Sequence, residues 1–274
     1  MAVSMADISK LRKLTGAGMM DCKNALNETN NDIEAAIEII RKKGQAVAAK
    51  REDREAAEGC ALSANNGDFA AIIALKCETD FVAKNEGFVA LTQQLLDTAI
   101  AARAKSLEEV LSLSINGQKV SELIVEEIGK TGEKMELGAY EFIEAPSTTS
   151  YNHIGNKLAT IVGFNIAGVD LHVGRDIAMQ VASMNPVSVN RDEVPEHIAA
   201  QELEIGREKA RQEGKPEAIL DRIAEGRLNK FYKESVLMEQ EYVKDASLTI
   251  EAYLKKQNPE LKATTFKRVN LNED

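Results

Sequence analysis

Apolar positions along this chain follow two rhythms, and the places where the rhythm changes divide it into units. Ile33, Ala36, Ile37 and Ile40 keep the three-to-four-residue spacing of one helix face. The spacing predicts a helix that starts after Asn30-Asn31-Asp32 and stops at Gly44. Two shorter helices are expected before it, over 4–14 and from 19 to 26. Thr15-Gly16-Ala17-Gly18 separates them, because glycine ends a helix and turns the chain. Residues 1–45 therefore read as a three-helix unit, too small to hold much core by itself. The stretch 46–56 is rich in charge and alanine and reads as a solvated, partly helical linker.

A two-residue rhythm takes over next. Strands are expected over 59–64 and 69–76, joined at Asn65-Asn66-Gly67-Asp68, a strong hairpin signal. A helix over 87–102 follows, then one over 117–128 that carries Val120, Leu123, Ile124 and Ile128 on one face. Further strands are expected over 134–144 and 158–166, with a helix over 173–184 that ends before Asn185-Pro186. Strand pairs and helices thus recur in a similar order, as two related halves would. From 187 to 228 strand signals vanish and charge rises. Helices over 191–213 and around Ile219, Leu220, Ile223 and Leu228 flank the turn Gly214-Lys215-Pro216, which makes an antiparallel hairpin. A helix over 248–254 and a strand over 264–269 close the chain.

The expected fold is α+β with antiparallel sheets. Its parts are the 1–45 unit, the 46–56 linker, one core unit over 57–140, a second built from 141–186 and 229–274, and the inserted helical hairpin over 187–228.

Composition narrows the function. Of 274 residues, 44% are hydrophobic and 28% charged, which is ordinary for a globular chain, and the net charge of −10 argues against direct nucleic-acid binding. No apolar run is long enough to span a membrane. The start, Met1-Ala2-Val3-Ser4-Met5-Ala6-Asp7, has no basic head before an apolar segment, so a cytoplasmic location is expected. Cys22, Cys60 and Cys77 are scattered and odd in number, as reduced thiols are, and His153, His172 and His197 lie far apart. No metal site and no cofactor is expected from them.

The search for catalytic chemistry returns little. Gly129-Lys130-Thr131 looks like the end of a phosphate-binding loop, but Ile124 stands where that loop needs glycine, and a helix precedes it rather than a strand. Asp80 and Lys84 could act as an acid–base pair, yet nothing around them forms a substrate pocket, so no catalytic residue is assigned. The remaining candidates are surfaces. Met19 and Met20 open a helix side by side, and neighbours on a helix diverge by about 100°, so at least one should face out. Cys77-Glu78-Thr79-Asp80-Phe81-Val82-Ala83-Lys84-Asn85 joins a strand to a helix. Aromatic residues are only 4% of the chain, so Phe81 is not a casual choice. The residues alone leave two readings open: Phe81 folds back into the core while Asp80 caps the helix, or the pair projects from an exposed turn.

Two longer strings carry a resemblance. Leu11-Arg12-Lys13-Leu14-Thr15-Gly16-Ala17-Gly18-Met19-Met20-Asp21-Cys22-Lys23-Asn24-Ala25-Leu26 and Thr79-Asp80-Phe81-Val82-Ala83-Lys84-Asn85 resemble, in order and separation, the two signatures of the translation elongation factor Ts family. Tyr151-Asn152-His153, Gly214-Lys215-Pro216, Glu225-Gly226-Arg227 and Glu239-Gln240-Glu241-Tyr242-Val243-Lys244-Asp245 are looser matches. Tyr242 stands where phenylalanine is expected, and Ile154 stands as an extra residue after His153.

The resemblance implies a guanine nucleotide exchange factor for the GTPase elongation factor Tu, bound in its GDP-loaded and nucleotide-free forms. It implies a ubiquitin-associated-like N-terminal domain, a two-part core, and a coiled-coil projection at the helical hairpin. The hairpin's own thinly apolar first helix reads as a surface open to a partner or to self-association. It implies that Thr79, Asp80, Phe81 and Val82 disturb the partner's Mg²⁺ site, and that Arg12, Met19, Met20 and His153 bind the partner. No bond chemistry is expected of the factor itself.

Overall fold

The computed structural model describes residues 3–273. The first two positions of the expected 1–45 unit, and Asp274 at the end of the expected second core unit, lie outside them. Three helices come first: α1 (Met5–Thr15), α2 (Met19–Glu28) and α3 (Ile33–Arg51). Ser4 caps α1 by accepting from the Asp7 backbone N–H at 3.1 Å, and Gly16 ends it in the left-handed region at φ 67°. Ile8, Leu11, Cys22, Ala25, Leu26 and Ala36 form the small core between the three helices.

The helix α3 does not stop at Gly44. It runs to Arg51, through part of the segment expected as linker. Gly44 is buried where α3 crosses α7 (Val120–Thr131). It does not reverse the chain, and the tight approach at this crossing is on the other side, at Gly129 of α7.

The strands β1 (Glu58–Asn66), β2 (Phe69–Cys77) and β5 (Met135–Glu144) form one antiparallel sheet in the order β1-β2-β5. The strands β6 (Ser147–Asn152), β7 (Leu158–Phe164) and β10 (Ala263–Asn270) form a second, in the order β10-β7-β6. The two share one topology. Each begins with a hairpin, continues through helices, and returns its last strand beside the second strand of the hairpin. Between β2 and β5 lie α4 (Asp80–Ala83), α5 (Glu86–Ala102), α6 (Leu107–Ser112), the small hairpin β3 (Ser114–Ile115) and β4 (Gln118–Lys119), and α7. Between β7 and β10 lie α8 (Leu171–Met184), α9 (Glu196–Gln212), α10 (Leu220–Ser235), β8 (Glu241–Tyr242), β9 (Asp245–Thr249) and α11 (Ile250–Gln257).

Both faces of β2 are buried, which is why it reads as a nearly continuous apolar run. Phe69, Ala71, Ile73 and Leu75 pack with Phe88, Leu95, Leu96 and Ala99 of α5. Ala70, Ile72 and Ala74 face the other sheet and meet Ala159 and Ile161. Val162 and Phe164 on the far side of β7 meet Ile177 and Val181 of α8. The result is helices, sheet, sheet and helices in layers. Alanines at the sheet–sheet contact let the layers approach closely. Burying one isoleucine there, such as Ile72 or Ile161, contributes about 1.5–3 kcal/mol. The Asn152 side chain stitches the sheets together, accepting from the Ser63 N–H at 2.6 Å and donating to the Ser63 carbonyl at 3.0 Å.

Several expectations change. The first strand set extends to Glu144 in β5, past the expected division at 140/141. The helix expected from Arg191 begins only at Glu196, because Pro195 has no N–H to donate and a short 3-10 turn, Arg191–Glu193, precedes it. Its partner α10 continues past 228 to Ser235. The two pack lengthwise, with Gly206 against Ala224 and ion pairs Arg207–Asp221 at 2.7 Å and Arg227–Glu213 at 2.5 Å. Among the described residues, no helix is long and apolar enough to cross a membrane.

Candidate functional site

The strand β2 ends at the buried Cys77, and the chain leaves the sheet through Glu78 and Thr79. Thr79 is extended, at φ −123° and ψ 154°, and its Oγ1 accepts from the Val82 N–H at 3.4 Å, which caps the single turn of α4. Asn85 then accepts from the Gly87 N–H at 2.8 Å and starts α5. Within α4, Ala83 is buried and Val82 packs on the core of the first sheet. Helical geometry then turns Asp80 and Phe81 away from that core. Phe81 is 84% exposed. Of the two readings the residues left open, the structure takes the projecting one. An exposed phenylalanine forgoes about 1.5–3 kcal/mol of burial, so its place here is not explained by folding.

Two carboxylates hold the turn from behind. Thr79 donates twice to Glu133, from its backbone N–H to Oε2 at 3.0 Å and from its hydroxyl to Oε1 at 2.7 Å. In the opposite direction, the Lys134 N–H donates to Glu78 at 2.7 Å. Arg51, the last residue of α3, places Nη1 at 3.0 Å from both oxygens of Glu78. The Lys134 N–H and then Arg51 keep the Glu78 carboxyl below the usual carboxylate range.

Asp80 is not free. Its Oδ2 lies 2.6 Å from Nζ of Lys84, one helical turn on. That bond lowers the Asp80 pKa and raises that of Lys84. The pair sits half-exposed on the projecting turn and lines neither of the two best-formed cavities of the described residues. The larger cavity, about 520 Å³, lies instead between α3 and α7, lined by Glu38, Arg41, Gln45, Gln118, Glu122 and Lys130 among others. This geometry speaks against acid–base catalysis by Asp80 and Lys84. Gly129-Lys130-Thr131 is likewise no phosphate loop, because it forms the last turn of α7 and Lys130 pairs with Glu126 at 3.2 Å and Glu127 at 3.1 Å.

His153 lies on the exposed loop between β6 and β7, with Nδ1 2.9 Å from the Tyr151 hydroxyl. The far side of that loop is anchored to β1. The Asn156 carbonyl accepts from the Ala61 N–H at 2.7 Å, and Lys157 pairs with Glu58. Glu58 stands opposite Cys77 in the ladder, so this loop and α4 share one end of the first sheet. Ile154, at the loop's outer edge, is 94% exposed.

Arg12, Met19 and Met20 lie on the N-terminal helices and are exposed. Met19 and Met20 are 49% and 64% exposed, so both face out where one was required. Cys22, Ala25 and Leu26 supply the buried face of α2 instead. Among the described residues, no hydrogen bond or ion pair joins Arg12, Met19 or Met20 to residues 79–82. The expected site residues thus fall into a projecting turn with a neighbouring loop, and a separate helical face.

Sequence reasoning missed Glu133, Arg51 and Lys157. Glu133 lies 54 residues from Thr79 in the chain, and no local pattern announces such a contact. Among the described residues no group of three or more His, Cys, Asp or Glu could hold a metal ion. Burial pushes the Cys60 thiol up to about 11 and that of Cys77 up to about 12, so neither is an activated nucleophile.

The family model described as Elongation factor TS matches residues 78–273. The protein called Elongation factor Ts in Porphyromonas gingivalis is 60% identical over 275 residues, covering 100% of both chains. The proteins of the same name in Azobacteroides pseudotrichonymphae and Parabacteroides distasonis are 52% and 43% identical, each alignment covering 99% of both chains.

Proposed function

Because this chain belongs to the elongation factor Ts family, and is thus a translation elongation factor, we propose that it is the guanine nucleotide exchange factor for elongation factor Tu. It binds the GDP-loaded GTPase, disturbs the Mg²⁺ beside the nucleotide, and lets GDP leave so that GTP can enter. The observation that carries this reading is Phe81, 84% exposed on a turn whose base is fixed by Glu133.

The mechanism needs no bond chemistry in this chain. Mg²⁺ in a GTPase neutralises phosphate charge and is held by few protein ligands plus water, so small shifts of those ligands loosen it. Phe81 is the wedge that shifts them. Val82 and Thr79 anchor the wedge, and Asp80 brings a carboxylate toward a site whose affinity depends on positive charge. The factor prefers the nucleotide-free partner. By linkage it then weakens the nucleotide by the same factor by which the nucleotide weakens it.

The rest of the chain supports that encounter. The first three helices are a ubiquitin-associated-like domain whose face around Arg12, Met19 and Met20 docks on the GTPase. Methionines suit such a face because they adapt to their partner. His153 adds a contact from the loop beside α4. The two sheets with their helices are the two-part core, and α9 with α10 is a coiled-coil projection that offers a self-association surface. The protein works in the cytoplasm, where its partner acts.

The test is direct. Elongation factor Tu carrying a fluorescent GDP is mixed with excess unlabelled GTP, with and without a substoichiometric amount of this chain. Catalysed release supports the reading. Binding with release at the intrinsic rate would make the chain a scaffold and overturn it.

A further inference from the structure

We propose that Glu133 is a positioning residue for exchange: it sets the pose in which the Thr79–Val82 turn presents Phe81. The inference rests on the exchange reading above and adds to it a residue outside the projecting turn.

The turn cannot hold itself. The helix α4 is four residues long, and an isolated helix that short is unstable in water. Its own cap is a long bond, 3.4 Å from the Val82 N–H to Thr79 Oγ1. Ala83 and Val82 fix the inner side by burial, but burial of two small side chains leaves the rotation of the outer side loosely set.

Glu133 supplies what is missing. Both carboxylate oxygens go to one residue, and they bind the two donors of Thr79 at 3.0 and 2.7 Å. Two bonds from one rigid group fix both the backbone direction and the side-chain rotamer of the cap. A full negative charge strengthens each of them. Among the described residues Glu133 takes part in no ion pair, so its charge is spent on this contact alone.

Glu133 is itself well placed. Gly132 ends α7 in the left-handed region at φ 74°, and the Glu133 N–H donates to Thr131 Oγ1 at 3.3 Å. Its neighbour Lys134 is bonded back to Glu78. The two segments therefore clasp each other in both directions, which is more than a surface turn needs to fold. Without Glu133 the turn keeps its sequence and its exposure but presents Phe81 correctly for only part of the time. In a complex docked through the N-terminal helices, release then proceeds in proportion to that fraction, while the affinity set by those helices is unchanged.

The experiment is a double-mutant cycle on GDP release from elongation factor Tu, with the full chain varied at Glu133 and Phe81. Glu133→Ala should slow the maximal release rate about five- to tenfold, the scale of the lost hydrogen bonding, with the half-saturating concentration of factor unchanged. In the Phe81→Ala background the same change should slow release no further. Glu133→Gln keeps one acceptor for the Thr79 N–H and meets the hydroxyl only by donating to it, so it should recover part of the rate and not all of it. Slowing that is equal in both backgrounds, or no slowing in the parent, overturns the assignment. A Phe81→Ala factor as fast as the parent removes the wedge, and this inference with it, whereas a parent chain that leaves release at the intrinsic rate removes the exchange reading itself.

Discussion

Gly129 of α7 and Gly44 of α3 touch backbone to backbone: a Cβ at position 129 would lie 2.8 Å from the Gly44 Cα. This contact joins the N-terminal helices to the first sheet's helical layer, and it is asymmetric. A Cβ at position 44 meets nothing nearer than 3.5 Å, an ordinary contact. Gly44→Ala should therefore be neutral or stabilise by up to about 1 kcal/mol, the helix-propensity gain. Gly129→Ala should destabilise by about 1–3 kcal/mol, because backbone must move. Thermal unfolding with hydrogen exchange across α1–α3 separates the two. Equal effects would show that the contact does not hold the helices together.

The ion pair of Asp80 with Lys84 sets a second expectation. In the proposed encounter the Asp80 carboxylate meets the partner while held by an ammonium group 2.6 Å away. Exposed pairs of this kind are worth little to stability, so the effect lies in charge presentation. Asp80→Asn should slow release less than Phe81→Ala does, by no more than about threefold, the size of a weak exposed-pair effect. Stopped-flow release rates compare them. A larger loss in Asp80→Asn would make charge, not the wedge, the working element.

The helical face around Met20 should affect affinity rather than rate. Met20→Asp puts a charge on an exposed apolar contact and should raise the half-saturating factor concentration by roughly tenfold, as loss of one contact residue does. The maximal release rate should stay within error of the parent. Titration of factor against release rate reads both numbers, and a fall in the maximum alone would contradict the docking role.

How much of this was legible follows from which forces are local. Runs with both faces or one clear face buried, such as β2, α5 and α8, were readable because their apolar spacing is the cause of their burial. The strand β6, Ser-Thr-Thr-Ser-Tyr-Asn, was not, since it is a polar edge strand held by β7 and by Asn152. Gly44 was misread because a glycine that ends a helix and one carried within it look alike in one dimension. The signature around Phe81 was visible, but the residues that fix its pose were not. Glu133 and Arg51 reach it through contacts made only by the fold.

The second core carries a pH-dependent element. Asp176, on α8, accepts from Tyr242 at 2.6 Å, from Lys244 at 2.5 Å and from Tyr253 at 2.9 Å, and the two tyrosine rings stack 4.3 Å apart. Burial pushes the Asp176 pKa up, but the bonds from Lys244 and the two hydroxyls outweigh it, and the carboxyl stays below its ordinary value. A depressed carboxylate pKa stabilises the fold above the unfolded value, about 3.9, and that stability is lost as pH falls below it. Asp176→Ala should cost about 1–3 kcal/mol at neutral pH by stranding the hydroxyl donors. Urea unfolding at neutral pH and at about pH 3 should show the gap between parent and variant shrinking in acid. A gap that widens in acid would reverse the assigned sign.

The most direct test of the central claim is GDP release from elongation factor Tu at saturating concentrations of the parent chain and of Phe81→Ala. Phe81 is 84% exposed, so its removal should leave the melting temperature of the free factor unchanged. Maximal release should fall by roughly tenfold or more, the loss expected when a central anchor is truncated. Release at the parental rate by a folded Phe81→Ala factor would contradict the account.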